Sequence, residues 1–237
     1  MIELHYWPTS NGQKISMALE EMGLAYEIHA INIGKGDQFK PSFIAISPNN
    51  RIPAIVDRDP PDGGPPITIF ESGAILVYLA EKTGRFMPKD VRGRCDVMQW
   101  LFWQVGGLGP MAGQKGHFLH SAPEPIPYAI DRYTKETDRL IGVLDRRLQG
   151  RDFICGDYSI ADMASYPWVF SQQKRDPGVL ANFANVQRWV DAIKARPATV
   201  AAYAKGEPLT AQPVSDEERK RNLYGQTAAN TAARIVK

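Results

Sequence analysis

The first third of the chain alternates two hydrophobic periods, and this alternation predicts strands separated by helices. Apolar residues recur at every second position of the opening segment, which is the period of a β-strand: Ile2, Leu4 and Tyr6. They then recur at the i, i+3, i+4, i+7 spacing of an amphipathic helix: Ile15, Ala18, Leu19 and Met22. Gly23 is a natural end for this helix, because glycine accepts the left-handed conformation that closes many helices.

The same alternation continues to about residue 84. Three further segments carry strand signals: "AYEIHAINI" (25–33), "RIPAIVD" (51–57) and "ITIF" (67–70). Residues 35–50 are polar and broken by two prolines, so they predict a loop with a short helix. The segment "ESGAILVYLAEKTG" predicts a helix that ends at Gly84. The resulting order β-α-β-α-β-β-α is typical of an α/β thioredoxin-like domain, which we place at residues 1–85.

Beyond Pro88 the strand periods disappear and helical periods take their place. Four segments predict helices, and the first of them is rich in aromatic residues and interrupted by glycines and a proline: 90–119, 126–149, 158–170 and 186–197. Ser159 and Asp162 have the spacing of a capping box at the start of the third segment. We therefore predict an all-α domain at 90–205, followed by a polar, loosely held tail at 206–237.

Composition and charge narrow the function classes. The formal net charge of +2 gives no electrostatic reason to expect nucleic acid or an anionic membrane as a partner. No apolar run approaches the ~20 residues of a transmembrane helix, and the N-terminal residues lack the pattern of a secretory signal. Cys95 and Cys155 are far apart and form no CxxC pair, so we expect free thiols and a cytoplasmic location.

Three short stretches give the chain a family resemblance. "RIPAIVD" contains Pro53, "FESGAILVYLAEK" contains Glu71 and Ser72, and "YSIAD" contains the capping box. Up to about residue 205 the chain resembles the soluble glutathione transferases. Longer segments resemble their nu class, the bacterial disulfide-bond oxidoreductases: "PTSNGQK", "GKGDQFKPSFIAISPNNRIPAIVD", "QWLFWQVGGLGPM" and "IPYAIDRYTKETDRL". This resemblance implies the glutathione transferase fold, a homodimer, glutathione as a co-substrate and no metal.

The turn "WPTSNGQK" (7–14) raises the question of the nucleophile, because it offers hydroxyl and amide side chains but no thiol. The resemblance implies that the thiol belongs to bound glutathione, and that Asn11 and Thr9 are the catalytic residues, which donate hydrogen bonds to its sulfur. Unpaired N–H groups at the start of the helix would also stabilise a thiolate. Tyr6 and Ser10 are competing candidates. Residue types such as Thr9, Ser10 and Asn11 are also good helix caps.

The resemblance also assigns the rest of the glutathione site. Glu71 would bind the ammonium of the γ-glutamyl group and Ser72 its carboxylate, while a cis Pro53 would turn the Ile52 backbone toward the cysteinyl part. Lys14 could contribute as well. The complete set of binding residues implied in this way is Gln38, Asn50, Ile52, Pro53, Glu71, Ser72 and Arg132.

The aromatic residues near position 100 and the histidines are also considered as site residues. The aromatic residues Trp100, Phe102 and Trp103 form core or a dimer interface in the favoured interpretation, and an acceptor pocket in the other. The histidines have no carboxylate or cysteine at metal-ligand spacing, so we expect no metal site.

The leading hypothesis for function is a glutathione-dependent disulfide-bond reductase with weak transferase or peroxidase activity. In this hypothesis one glutathione thiolate attacks the substrate disulfide and a second resolves the mixed disulfide. One alternative is a conventional glutathione transferase that acts on electrophiles. The other is a non-catalytic glutathione-binding regulator, similar to the yeast nitrogen-catabolite regulator to which the nu class is related.

Overall fold

The structure is a computed structural model that describes residues 1–211, 213–229 and 231. It contains two compact units. The first comprises Met1–Lys82 together with the described residues from Ala201 onward, and the second comprises Thr83–Val200. The predicted division into domains at 1–85 and 90–205 with a tail at 206–237 stays a prediction. It differs from the two compact units in one respect, since the described residues from Ala201 onward belong to the first unit.

The first unit is built on a four-stranded mixed sheet in the order β2-β1-β3-β4. Its strands are β1 (Ile2–Tyr6), β2 (Tyr26–Ala30), β3 (Ala54–Asp57) and β4 (Ile67–Phe70). β1 runs parallel to β2 and antiparallel to β3, and β3 runs antiparallel to β4. Leu4 lies opposite Ile28 on one side and Ile55 on the other, so the apolar positions of the central strands meet in one core.

Helices cover this sheet where the hydrophobic periods predict them. They are α1 (Ser10–Met22), the short α2 (Pro41–Ile44), which follows a 3-10 turn at Asp37–Phe39, and α3 (Ser72–Thr83). The predicted apolar face of α1 is buried, and the helix ends at Gly23, whose φ of 67° lies in the left-handed region. The prediction of an α/β thioredoxin-like domain is confirmed.

The second unit is helical. Its helices are α4 (Val91–Trp103), α5 (Gly109–His120), α6 (Pro127–Leu148), α7 (Ile160–Arg175) and α8 (Ala184–Lys194), followed by the start of α9 (Pro197–Thr210). The predicted interruption between α4 and α5 is wrong, because a π-helical turn at Gln104–Leu108 keeps the chain helical. Gly109 packs closely against this turn, and a Cβ there would lie 2.7 Å from Nε2 of Gln104, so the Gln104 side chain would have to shift.

The capping box predicted for α7 is present and organises the centre of the second unit. Asp162 is fully buried and accepts hydrogen bonds from the backbone N–H groups of Ile154 and Ser159 and from Nε1 of Trp189. Burial raises the pKa of Asp162 to about 6, although these donors act in the opposite direction. The carboxyl group therefore ties three segments of the unit together.

The segment from Gly206 to Leu223 is not the loosely held tail that its composition predicts. Helix α9 continues to Thr210, and α10 (Asp216–Leu223) follows with its N-cap at Ser215. Asn222 is 5% exposed; its Nδ2 donates to the carbonyl of Gly34 at 2.6 Å. Composition suggested a tail because α10 is highly polar, whereas Asn222, its buried residue, binds α10 to Gly34 and Gln38 of the same unit. Across the described residues, we find no helix with the length and apolarity required to span a membrane.

Candidate active site

The candidate catalytic residues lie at the start of α1, with Thr9 directly before the helix and Asn11 in its first turn. Thr9 is its N-cap and accepts a hydrogen bond from the Gly12 N–H at 3.3 Å. Gly12 is required by a close approach, because a Cβ there would lie 2.1 Å from the carbonyl oxygen of Trp7. The first turn of α1 contains no acidic residue, so its positive end is left to interact with an anion.

A cavity of about 260 Å³ in the first unit brings together three segments that are distant in sequence. These are the first turn of α1, the residues just before β3, and the junction between β4 and α3. The residues that line it are Asn11, Arg51, Ile52, Pro53, Phe70, Glu71 and Ser72. Five of them were predicted as site residues, and the Ile52–Pro53 peptide bond is cis as expected. Among the described residues that line this cavity there is no cysteine.

The junction between β4 and α3 presents two polar side chains to the cavity. Glu71 has a φ of 68°, and this left-handed conformation of a non-glycine residue costs of the order of 1 kcal/mol. Its exposed carboxylate accepts a hydrogen bond from Nδ2 of Asn49 at 3.3 Å. Ser72 starts α3, so its N–H has no acceptor within the helix. Two helix N-termini, those of α1 and α3, therefore contribute to one polar cavity.

Lys14 lies behind this wall of the cavity. It is 2% exposed, and its Nζ donates to Oγ of Ser72 at 3.2 Å. Burial lowers the pKa of Lys14 to about 7, while the charge of Glu71 acts to raise it. Lys14 was predicted only as a minor contributor, because nothing in the sequence shows that α1 and α3 meet at this point.

Four predicted site residues lie outside the cavity, three of them in the first unit and the fourth, Arg132, in the helical unit. Thr9 is engaged in the cap of α1. Gln38 is 1% exposed, and its Nε2 donates to the carbonyl groups of Ile33 and Asn222. Asn50 is buried, and its backbone has the left-handed conformation with a φ of 54°. The structure does not bring these side chains to the cavity, so their contacts with a ligand stay predictions.

Sequence profiles of known protein families match segments of both units. The sequence profile of the N-terminal domain of glutathione S-transferases matches residues 10–82, and that of the C-terminal domain matches residues 109–197. The chain belongs to the glutathione S-transferase family. It is 53% identical over 210 residues to "Disulfide-bond oxidoreductase YfcG" of Escherichia coli K12, a match that covers 87% of this chain and 96% of the relative.

Solved structures of this transferase family give the same fold. A glutathione transferase from Pseudomonas putida, with one glutathione disulfide bound per subunit, superposes with a TM-score of 0.82 at 44% identity and covers 85% of this chain and 90% of its own. A family member from Pseudomonas fluorescens Pf-5, with two glutathione molecules bound, has a TM-score of 0.82 at 42% identity, with coverages of 85% and 92%. The predicted combination of a thioredoxin-like domain and a helical domain is confirmed.

Arg132 lies in the helical unit, on α6. It is exposed and lines a separate cavity of about 330 Å³ whose walls carry further cations: Lys135 and Arg139. The hydrogen bond from Arg139 is the main reason why the pKa of Glu136 is lowered, and the charge of Arg132 adds to it. A role for Arg132 in binding glutathione stays a prediction.

Tyr6 and the two cysteines, the other side chains that could take part in thiol chemistry, do not line the cavity. Tyr6 lies in the core, where burial raises its pKa to about 12. Cys155 also has a pKa raised to about 12, mainly by burial, and Cys95 is exposed on α4. Phe102 is 64% exposed, so it does not belong to the core of this unit, and its place in a dimer interface stays a prediction. The described residues contain no group of three or more His, Cys, Asp or Glu that could hold a metal ion.

Proposed function

We propose that this protein is a glutathione-dependent disulfide-bond reductase with glutathione as its co-substrate. The observation that carries the proposal is the cavity that joins Asn11 at the start of α1 to Glu71 and Ser72 at the start of α3. Its described lining contains polar groups for an amino acid headgroup but no protein thiol. The relative named as a disulfide-bond oxidoreductase, at 53% identity, supports the reaction class.

The proposed binding mode uses each side of the cavity for one part of glutathione. The N–H and hydroxyl of Ser72 donate to the γ-glutamyl carboxylate, and the Glu71 carboxylate accepts from the ammonium. The backbone of Ile52 pairs with the cysteinyl backbone. These contacts direct the thiol toward Asn11 and the positive end of α1, where the residues of the site are complementary to a thiolate. Arg51, which the sequence analysis missed, places a cation in the same cavity as Glu71.

The chemistry then requires only thiol activation and two exchange steps. A free thiol has a pKa near ~8.5, and lowering it by one to two units needs ~1.4–2.7 kcal/mol of preferential stabilisation of the thiolate. One or two charge-assisted hydrogen bonds, from Asn11 and the N–H groups of α1, are sufficient. The thiolate attacks one sulfur of the substrate disulfide, forms a mixed disulfide and expels the other sulfur as a thiolate, which takes up a proton. A second glutathione thiolate then attacks the glutathione sulfur of the mixed disulfide, which forms oxidised glutathione and releases the second half of the substrate as a thiolate.

A comparison of two substrates tests the proposal against conventional transfer to electrophiles. The purified protein is assayed with glutathione and either hydroxyethyl disulfide or a chloronitrobenzene. We expect turnover of the disulfide to exceed that of the aromatic electrophile by at least an order of magnitude. The reverse preference would indicate a conventional transferase, and binding of glutathione without either turnover would indicate a regulator. A homodimer and a cytoplasmic location stay predictions.

A further inference from the structure

Lys14 is a buried cation placed next to a side chain that lines the active-site cavity. Lysine is almost never fully buried unless it has a partner, and Lys14 is 2% exposed with its Nζ donating to Oγ of Ser72. Both residues lie near the starts of their helices, Lys14 in α1 and Ser72 in α3. The contact joins the two helices directly behind the polar wall of the cavity.

The charge of Lys14 determines which atom of the Ser72 hydroxyl is available to a ligand. An ammonium group has donors and no acceptor, so the Ser72 oxygen must accept from it. The hydroxyl proton is then free to be donated into the cavity that Ser72 lines. A neutral amine carries a lone pair and can accept that proton itself, which would remove the donor from the cavity. A donor on this wall favours a carboxylate as the ligand group.

The surroundings leave Lys14 able to gain or lose a proton near neutral pH. Burial lowers its pKa to about 7, and Glu71 on the same wall acts in the opposite direction. Arg51, from the segment before β3, also lines the cavity and adds a positive charge to it. A ligand carboxylate held by Ser72 would add a second negative charge close to the ammonium, and an added negative charge favours the protonated form.

We propose that Lys14 is a positioning residue that acts through Ser72: its ammonium fixes the Ser72 hydroxyl as a donor to the α-carboxylate of glutathione, and binding of that carboxylate transfers a proton from solvent to Lys14. This inference rests on the proposed function, because it assumes that the cavity takes the γ-glutamyl group. It predicts that affinity is highest below pH 7 and decreases as the pH rises through the pKa of Lys14. It also predicts that binding near pH 7.5 consumes protons.

Calorimetric titration with S-methylglutathione tests this coupling, because the blocked thiol cannot release a proton of its own. Titrations at pH 7.5 in two buffers with different enthalpies of ionisation give the number of protons taken up. We expect wild type to take up about half a proton more than Lys14→Met, which keeps the length of the side chain but removes its charge. At pH 6.5 the Lys14→Met variant should bind roughly tenfold more weakly, and the difference should shrink at pH 8.5.

Two further variants separate titration from packing. Lys115→Met removes another largely buried lysine, one that lies in the helical unit, and should leave proton uptake and affinity unchanged. Lys14→Arg keeps a permanent charge and should bind with no extra proton uptake and with little dependence on pH. This variant decides the question if circular dichroism shows that Lys14→Met is unfolded.

The outcomes distinguish this inference from the proposed function. Equal proton uptake by wild type and Lys14→Met would overturn the role of Lys14, while binding by wild type would leave the glutathione site in place. Proton uptake by Lys14→Arg equal to that of wild type would overturn it as well. Failure of wild type to bind S-methylglutathione at all would overturn the site and the proposed function together.

Discussion

Asn11 and Thr9 were predicted to act as a pair on the thiol, but the structure gives them different surroundings. Asn11 lines the cavity, whereas Thr9 accepts from the Gly12 N–H and lies outside it. A threonine hydroxyl that accepts a hydrogen bond keeps its own proton for donation, so a second role for Thr9 is chemically open. Asn11 is therefore the residue on which the proposed thiol activation depends most directly.

Replacement of Asn11 by alanine should lower disulfide reductase turnover by roughly tenfold or more, because the thiolate loses a hydrogen bond that contributes ~1.4 kcal/mol or more. The free energy of unfolding should be nearly unchanged. Thr9→Ala is the matched control for the helix cap, and it should lower stability by about 1 kcal/mol. Loss of turnover in Ser10→Ala with full activity in Asn11→Ala would mean that the neighbouring side chain has the assigned role.

Replacement of Glu71 by glutamine should weaken glutathione binding, because the ammonium of the γ-glutamyl group loses its charged acceptor. The side chain is exposed, so we expect an effect at the lower end of the range for charged hydrogen bonds, about 1.5 kcal/mol or roughly tenfold in Kd. Calorimetric titration measures it directly, with Glu27→Gln on β2 as a control for an exposed acid. Equal affinities of Glu71→Gln and wild type would remove Glu71 from the site.

At the level of secondary structure, the sequence predicted the elements whose signals are local. The periods of two and 3.6 residues identified the strands and the main helices because burial on one face imposes them directly. The π-helical turn at Gln104–Leu108 has no such period, and its glycines were interpreted as an interruption. Helix α10 was missed because the contacts of Asn222 with Gly34 and Gln38 join residues almost 190 positions apart.

The site residues, like the helices, could be predicted only where the signal is local in the sequence. The lining residues Ile52, Pro53, Glu71 and Ser72 lie in stretches that resemble a known family, so they could be predicted without a structure. Arg51 and Phe70 are the first residues of two of those stretches and had no assigned role, and only the packing of β3 against β4 shows that they line the cavity. Gln38 was predicted from the same resemblance, yet its amide is engaged by Asn222 of α10.

The capping box of α7 gives the helical unit a stability that depends on pH. Burial raises the pKa of Asp162 to about 6 from its ordinary value of 3.8, so protonation of this group favours the folded state. Its contribution is fully present below about pH 4 and is lost as the pH rises through about 6. Asp162→Asn cannot titrate and should lack this dependence.

Urea unfolding of wild type and Asp162→Asn at pH 4 and pH 7 measures the effect. The stability advantage of wild type over Asp162→Asn should be smaller at pH 7 than at pH 4, by roughly 2 kcal/mol. An advantage that grows with pH would show that the donors from Ile154, Ser159 and Trp189 outweigh burial and hold the carboxylate ionised.

At the scale of the whole molecule, the proposed nucleophile belongs to the ligand, and the protein provides the environment of the thiolate. The cavity contributes helix N-termini and polar side chains, while the two cysteines have other surroundings. Cys155 has a raised pKa of about 12, which keeps its thiol protonated near neutral pH, and Cys95 is exposed on α4. A thioredoxin-like enzyme that uses its own thiol would instead need a cysteine at the start of α1.

Turnover of hydroxyethyl disulfide by the double variant Cys95→Ser, Cys155→Ala tests this central claim most directly. The assay uses saturating glutathione, and circular dichroism verifies that the variant is folded, because Cys155 is partly buried. We predict that the folded variant retains most of the wild-type turnover. A folded variant without turnover would show that a protein thiol carries out the exchange, and the ligand-borne nucleophile would have to be abandoned.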